Sequence, residues 1–175
     1  MKTTTILLAA GASLLLLTNA CGGGNGAPAA EPSVTTTTAG EIDVETAKQK
    51  ASAVVPGAVA DARKKDEAAE HSWQVSVKMA NGADVIVEVD RMSGSIKEIS
   101  GEAGPFDYDF SPGNGYMKFG DAKAKALEAK PGELQRWELE TDDNEYEMVV
   151  KGTDGKTYEV TLDARSGEVK KTKEK

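Results

Sequence analysis

The chain has 175 residues, a formal net charge of −8 and a single cysteine. That length allows one or two domains. The acidic balance excludes binding that rests on neutralising nucleic-acid phosphates, and one cysteine excludes an internal disulfide.

Met1 and Lys2, followed by the apolar run Ile6–Leu17, read as an export signal over residues 1–20. The run falls short of the roughly 20 residues that cross a bilayer, and Gly11 and Ser13 interrupt it. It ends Leu17-Thr18-Asn19-Ala20-Cys21, which resembles a bacterial lipoprotein box, with Thr18 where such boxes most often carry leucine. Thr18 and Ala20 also suit an ordinary signal peptidase, which would leave Cys21 a free thiol. A lone thiol is a liability in an oxidising compartment, and a lipid thioether uses it up. Two acyl chains give stable anchoring where one is marginal. Cys21 is therefore the expected lipidation site, and the expected address is the outer side of a bacterial cell membrane.

Residues 21–40 form the expected tether, rich in glycine, alanine and threonine, with no apolar periodicity to offset its ordering entropy. Its r.m.s. reach is about 25 Å. Loss of Lys2 with the signal takes the charge from −8 to −9, which anionic headgroups repel. The body is expected to stand off the membrane.

Two segments, 42–101 and 118–173, read as copies of one unit. Glu45–Ala51 aligns with Gly120–Ala126, and each stretch runs on to a Pro-Gly pair, Pro56-Gly57 and Pro131-Gly132. Asn81-Gly82 answers Asp154-Gly155, and Asp90–Gly94 answers Asp163–Gly167. The offset is 75 residues early and 73 later, which marks a two-residue deletion in one connection.

In the first unit Asp43 or Glu45 suits a helix start. Ala47, Ala51, Val54 and Val55 make one helical face, and Pro56 ends the helix. Ala58–Arg63 forms a weak first strand. Trp73, Val75 and Val77 alternate with polar residues, and so do Val85, Val87 and Val89 beyond the Asn-Gly turn. Ser93-Gly94 turns the chain into Ile96 and Ile99. The second unit repeats the scheme. Ala122, Ala126, Leu127 and Ala129 form its helix face, and Leu134, Trp137, Leu139, Tyr146, Met148, Val150, Tyr158, Val160, Leu162 and Val169 lie on its strands. The expected fold is α+β: two tandem units over 41–103 and 118–175, each one helix on an antiparallel meander of three to four strands. Units of about 60 residues are marginal alone, so the two are expected to pack together or extend one another's sheets.

The linker 104–117 carries Phe106, Tyr108 and Phe110. They read as a docking strand between units, or as an exposed strip that joins Asp142 and Asp143 in a partner surface. Glu138, Glu140, Asp142, Asp143, Glu145 and Glu147 read as a solvated face first, a partner surface second and a weak cation site third. Their spacing matches no EF-hand loop. His71, the one histidine, reads as an exposed loop residue in a polar stretch. Asp90 and Asp163 read as turn carboxylates that accept backbone N–H groups, with Gly94 and Gly167 at positive φ.

The helix, the Pro-Gly pair and the ending Val-x-Val-Asp-x-x-Ser-Gly-x-Ile together resemble the PepSY family. The matching residues include Ala47, Ala51, Pro56, Gly57, Val87, Val89, Asp90, Gly94 and Ile96, then Ala122, Ala126, Pro131, Gly132, Val160, Leu162, Asp163, Gly167 and Val169. The resemblance covers about two thirds of the chain. It implies a noncatalytic module of exported proteins that regulates peptidases at the cell surface. No catalytic residue, metal ligand or cofactor is expected. The expected partners are the membrane, through the lipid, and another exported protein, with a peptidase the implied target. The alternative is an envelope sensor that holds a small ligand or wall fragment between the units.

Overall fold

In the computed structural model, residues 40–67 and 70–175 are described; the predicted signal, tether and Cys21 lie outside them. Asp43 Oδ1 accepts a hydrogen bond from Thr46 N at 2.8 Å and starts helix α1 (Val44–Val54). Its buried face is small, Ala47 and Ala51, and Val55 behind it is also buried. Four strands follow: β1 (Ala58–Glu67), β2 (Glu70–Lys78), β3 (Asp84–Asp90) and β4 (Ile96–Gly101). After a connection over 102–118 come helix α2 (Phe119–Ala129) and strands β5 (Gly132–Glu140), β6 (Glu145–Gly152), β7 (Thr157–Asp163) and β8 (Val169–Glu174). The expected pattern of one helix and a meander therefore occurs twice, with four strands each time.

The two meanders share one antiparallel sheet of eight strands in the order β1 to β8. The seam is β4 against β5, with Glu98 opposite Glu140, Ile99 opposite Leu139, Ser100 opposite Glu138 and Gly101 opposite Trp137. Because side chains alternate along a strand, register fixes what each face holds. Val87, Ile99, Leu139, Tyr146 and Leu162 lie directly opposite one another in a row from β3 to β7. Both helices cover this apolar face, and their alanines belong to the same core cluster. The other face is open and polar.

The duplication extends to hydrogen bonds. Ile42 N donates to Arg91 O at 2.7 Å, and Met117 N to Ala164 O at 2.8 Å. Trp73 Nε1 donates to Ile42 O, and Tyr146 Oη to Met117 O, each at 3.0 Å. An indole in one copy and a phenol in the other thus tie down the residue that leads into the helix. Bulges fall at equivalent places, Val59/Asp61 in β1 and Leu134/Arg136 in β5.

The Asp-x-x-Ser-Gly turns are built alike. Asp90 Oδ1 accepts from Met92 N, Ser93 N and Ser93 Oγ, and Asp163 Oδ1 from Arg165 N, Ser166 N and Ser166 Oγ. Gly94 has φ +69° and Gly167 φ +70°. A Cβ at Gly94 would stand 2.8 Å from Lys50 Cε, and one at Gly167 2.5 Å from Lys125 Cδ. Glycine serves there both the left-handed backbone and the lysine stem laid across it.

Four expectations change. The first strand is not weak but runs ten residues to Glu67. The stretch around His71 is a strand hairpin rather than a long loop, and His71 sits exposed on β2. Ala129 is exposed and Leu127 half-buried, and the large buried side chain of the second helix is Phe119. Val169 is 40% exposed on β8, the last strand of the sheet, which has a neighbour strand on one side only.

Candidate binding surfaces

The linker forms no strand. It crosses the seam as a strap on the apolar face, and its polar groups are met by α2. Phe119 N donates to Phe110 O at 3.1 Å, Gly120 N to Asp109 Oδ1 at 2.8 Å and Lys123 Nζ to Phe106 O at 2.6 Å. A strap satisfied this way needs no sheet neighbour. Phe106 and Phe110 are buried and Tyr108 is half-buried. Tyr108 stacks on Phe119 at 4.9 Å between centroids, and Trp137 lies 4.4 Å from Phe119. Trp137 Nε1 donates to Tyr108 Oη at 2.8 Å, and burial pushes the Tyr108 hydroxyl up to about 12. Tyr108 and Phe110 pack against the second unit's Phe119 and Trp137, on a segment that is not the docking strand of the first reading. Asp142 and Asp143 are exposed in the turn between β5 and β6.

The open face carries an acidic row. Glu88, Glu98, Glu140 and Glu145 lie successively opposite across β3, β4, β5 and β6, and Glu138 lies between Ser100 and Glu147. Like charges placed directly opposite repel. Glu88 is compensated by Lys65 Nζ at 2.8 Å and by Ser72 Oγ. Burial first, then the charges of Glu98 and Glu140, pushes the Glu138 carboxyl up to about 7. Glu98 and Glu140 are also raised, each mainly by burial.

The folded chain thus holds the Glu138 proton more tightly than the unfolded chain, whose ordinary value is 4.5. Stability from this group is complete below about 4.5 and is lost as pH rises through about 7. Glu138→Gln is expected to raise the melting temperature at pH 8, leave it unchanged at pH 4.5, and flatten the profile between. Thermal unfolding across that range checks it; a parallel downward shift of the whole profile would contradict it. Asp154 and Asp163 are held down to about 2 by hydrogen bonds from Tyr158 and Ser166 respectively, so their effect has the opposite sign and a separate acid window.

Two grooves open on the helix side. One, of about 470 Å³, lies between α1 and the strap, over Ile96 and Ile99, with Lys50, Val54 and Tyr116 on its walls. Tyr116 Oη donates to Thr141 O at 3.2 Å, and Arg165 lies 4.6 Å above the Tyr116 ring. The other, of about 590 Å³, lies between the strap, α2 and the start of β5. Neither was legible in sequence, because both are gaps between elements distant along the chain; the tyrosine in the Gly-Asn-Gly-Tyr stretch was the one available hint.

His71 Nδ1 stands 3.5 Å from Asp66 Oδ1, and both side chains are exposed. Asp66 also pairs with Arg91, which holds Glu41 bidentately at 2.9 and 2.8 Å. This ion cluster fastens the entry of the folded body. Among the described residues no group of three or more His, Cys, Asp or Glu side chains is arranged to hold a metal ion, and no helix is long and apolar enough to cross a membrane.

A family model described as peptidase propeptide and YPEB domain, PepSY, matches residues 41–99 and 119–173. Among solved structures, a candidate lipoprotein of Clostridium difficile 630 is similar at 18% identity, with 73% of this chain and 87% of that chain covered and a TM-score of 0.36. No curated protein matches the chain significantly.

Proposed function

The chain belongs to the PepSY family, and we propose that it is a noncatalytic, lipid-anchored module on the outer side of a bacterial membrane that binds another exported protein and regulates a peptidase. The observation that carries this reading is the doubled match to a family named for peptidase propeptides. It is supported by a scaffold whose polar face carries no helix and whose helix side opens two grooves. The anchor rests on the Leu17–Cys21 box. Asp142 and Asp143, exposed beside the acidic row, are the proposed part of the partner surface.

Detergent phase partitioning tests the anchor: wild type is expected in the detergent phase and Cys21→Ser in the aqueous phase. Photocrosslinking on intact cells tests the partner. Recovery of no specific exported protein, together with unchanged secreted peptidase activity in a deletion strain, would remove the reading. The groove between α1 and the strap favours a second reading, an envelope sensor for a small ligand or wall fragment. Thermal shift against wall fragments, with Tyr116→Ala as the control, separates the two.

A further inference from the structure

The sheet has an internal gap. β5 runs from Gly132 to Glu140, yet β4 pairs with it only from Trp137 onward. β4 ends at Gly101, opposite Trp137, and just before that point β5 carries the Leu134/Arg136 bulge, which adds Gln135 and bends the strand. The arm 132–136 keeps its hydrogen-bonded partner β6 on one side. On the other side, among the described residues, no backbone hydrogen bond joins it to the strap. The Glu133 carbonyl has Gln135 Nε2 at 3.5 Å as a stand-in donor.

This bare edge forms one wall of the 590 Å³ groove. The floor is apolar, from Pro105, Phe106, Leu127 and Leu134, and Leu127 is half-exposed there. The rim is acidic, from Glu102 and Glu133, both exposed; Arg136 Nη1 stands 4.0 Å from Glu102, which leaves Glu133 as the rim carboxylate for a partner's cation. Lys123, the cation at the groove, is already bonded to Phe106 O. Unpaired peptide groups call for another extended backbone. The apolar floor takes every second side chain of such a strand, and the acidic rim favours cations at the alternate positions. The sheet's outer edges are poorer hosts, since β1 and β8 carry Arg63, Lys64 and Lys65, and Lys170, Lys171 and Lys173, the charges that protect edge strands.

We propose that this notch receives an extended basic–apolar–basic segment of another exported protein, which pairs with Gly132–Gln135 as an added strand. The inference rests on the protein-binding reading above and names the place and the partner's chemistry. Only three or four residues can pair, so the interaction is weak, with a Kd on the order of 10–100 μM.

The test is fluorescence anisotropy with the full chain in detergent and a labelled heptapeptide of alternating lysine and valine. A second peptide of the same sequence is N-methylated at alternate residues, which keeps its charge and removes its strand hydrogen bonds. The expected result is saturable binding that weakens about tenfold with the N-methylated peptide and about tenfold with Leu127→Asp. Leu127→Met should bind as wild type, and the exposed Glu133→Lys should weaken binding several-fold. Equal binding of the two peptides, wild-type affinity in both Leu127→Asp and Glu133→Lys, or no binding at millimolar peptide overturns the proposal. Crosslinking on cells separates the two levels. Partner capture that persists in Leu127→Asp removes the notch and leaves the module reading, whereas no capture by wild type removes the reading itself.

Discussion

Trp137→Ala is expected to destabilise the fold by about 3–5 kcal/mol, the largest effect of any single side-chain truncation. Trp137 has no solvent exposure and touches rings from three parts of the chain. Phe119 of α2 is 4.4 Å away between centroids, Phe110 of the strap 5.9 Å and Tyr146 of β6 6.4 Å. Truncation leaves a cavity at the seam and removes the donor to Tyr108 Oη, a half-buried group that then lacks its described partner. Domains commonly hold about 5–15 kcal/mol in total, so the loss is a large fraction. At about 2–4 °C per kcal/mol for a chain of this size, the melting temperature should fall by roughly 10 °C or more. Trp73→Ala makes the comparison, since Trp73 is half-buried and its indole bonds Ile42 O near the rim; it should cost clearly less. Urea unfolding followed by circular dichroism distinguishes them. Equal midpoints for the two variants would show that the strap and seam do not form the centre of the fold.

Gly132→Ala is expected to be the more damaging kind of glycine replacement, for a reason found in the backbone. A Cβ at Gly132 would fall 2.2 Å from Lys151 O and 2.9 Å from Gly152 Cα. These atoms belong to the paired strand and cannot rotate aside as a side-chain tip can. Relief requires β5 to leave β6, at an expected cost of about 1–3 kcal/mol or more. Gly57 faces the same obstacle, Lys78 O at 2.6 Å, so the second residue of each Pro-Gly pair is set by close approach to the next strand. Gly155→Ala provides the contrast. Gly155 has φ +80° and nothing within 4 Å, so alanine there meets only the left-handed backbone penalty of about 1–2 kcal/mol. A chemical denaturation series of Gly132→Ala, Gly57→Ala and Gly155→Ala should rank the first two as the most destabilised; the reverse order would contradict the steric account.

The repeat made much of this fold readable in the sequence. Val75, Val77, Val85, Val87 and Val89 alternate with polar residues, and all five are fully buried. Asn81-Gly82 and Asp154-Gly155 mark real turns, with Gly82 at φ +88° and Gly155 at φ +80°. What stayed hidden depended on contacts between segments far apart. The seam pairs residue 98 with residue 140, and no local pattern in β4 or β5 announces that pairing. Phe119 lies at the first position of its helix, three residues before Ala122 and on the same buried face as Ala122 and Ala126, so it joins their helical spacing only once the helix is started there, where the strap packs over it. Glu98 and Glu138 look like ordinary solvated residues until register sets them near each other in a half-covered row. The candidate surfaces were least legible, because a groove is made by what neighbouring elements fail to fill.

The strand order described above also governs how the molecule can assemble. Each strand lies beside its predecessor in the chain, so zippering can advance from the amino end without waiting for a distant segment. Only β4 to β5 requires a longer closure, around α2 and the strap. Nearest-neighbour topology of this kind favours rapid folding, and it suits a polypeptide threaded through a narrow channel, whose first half can close while the second is still passing.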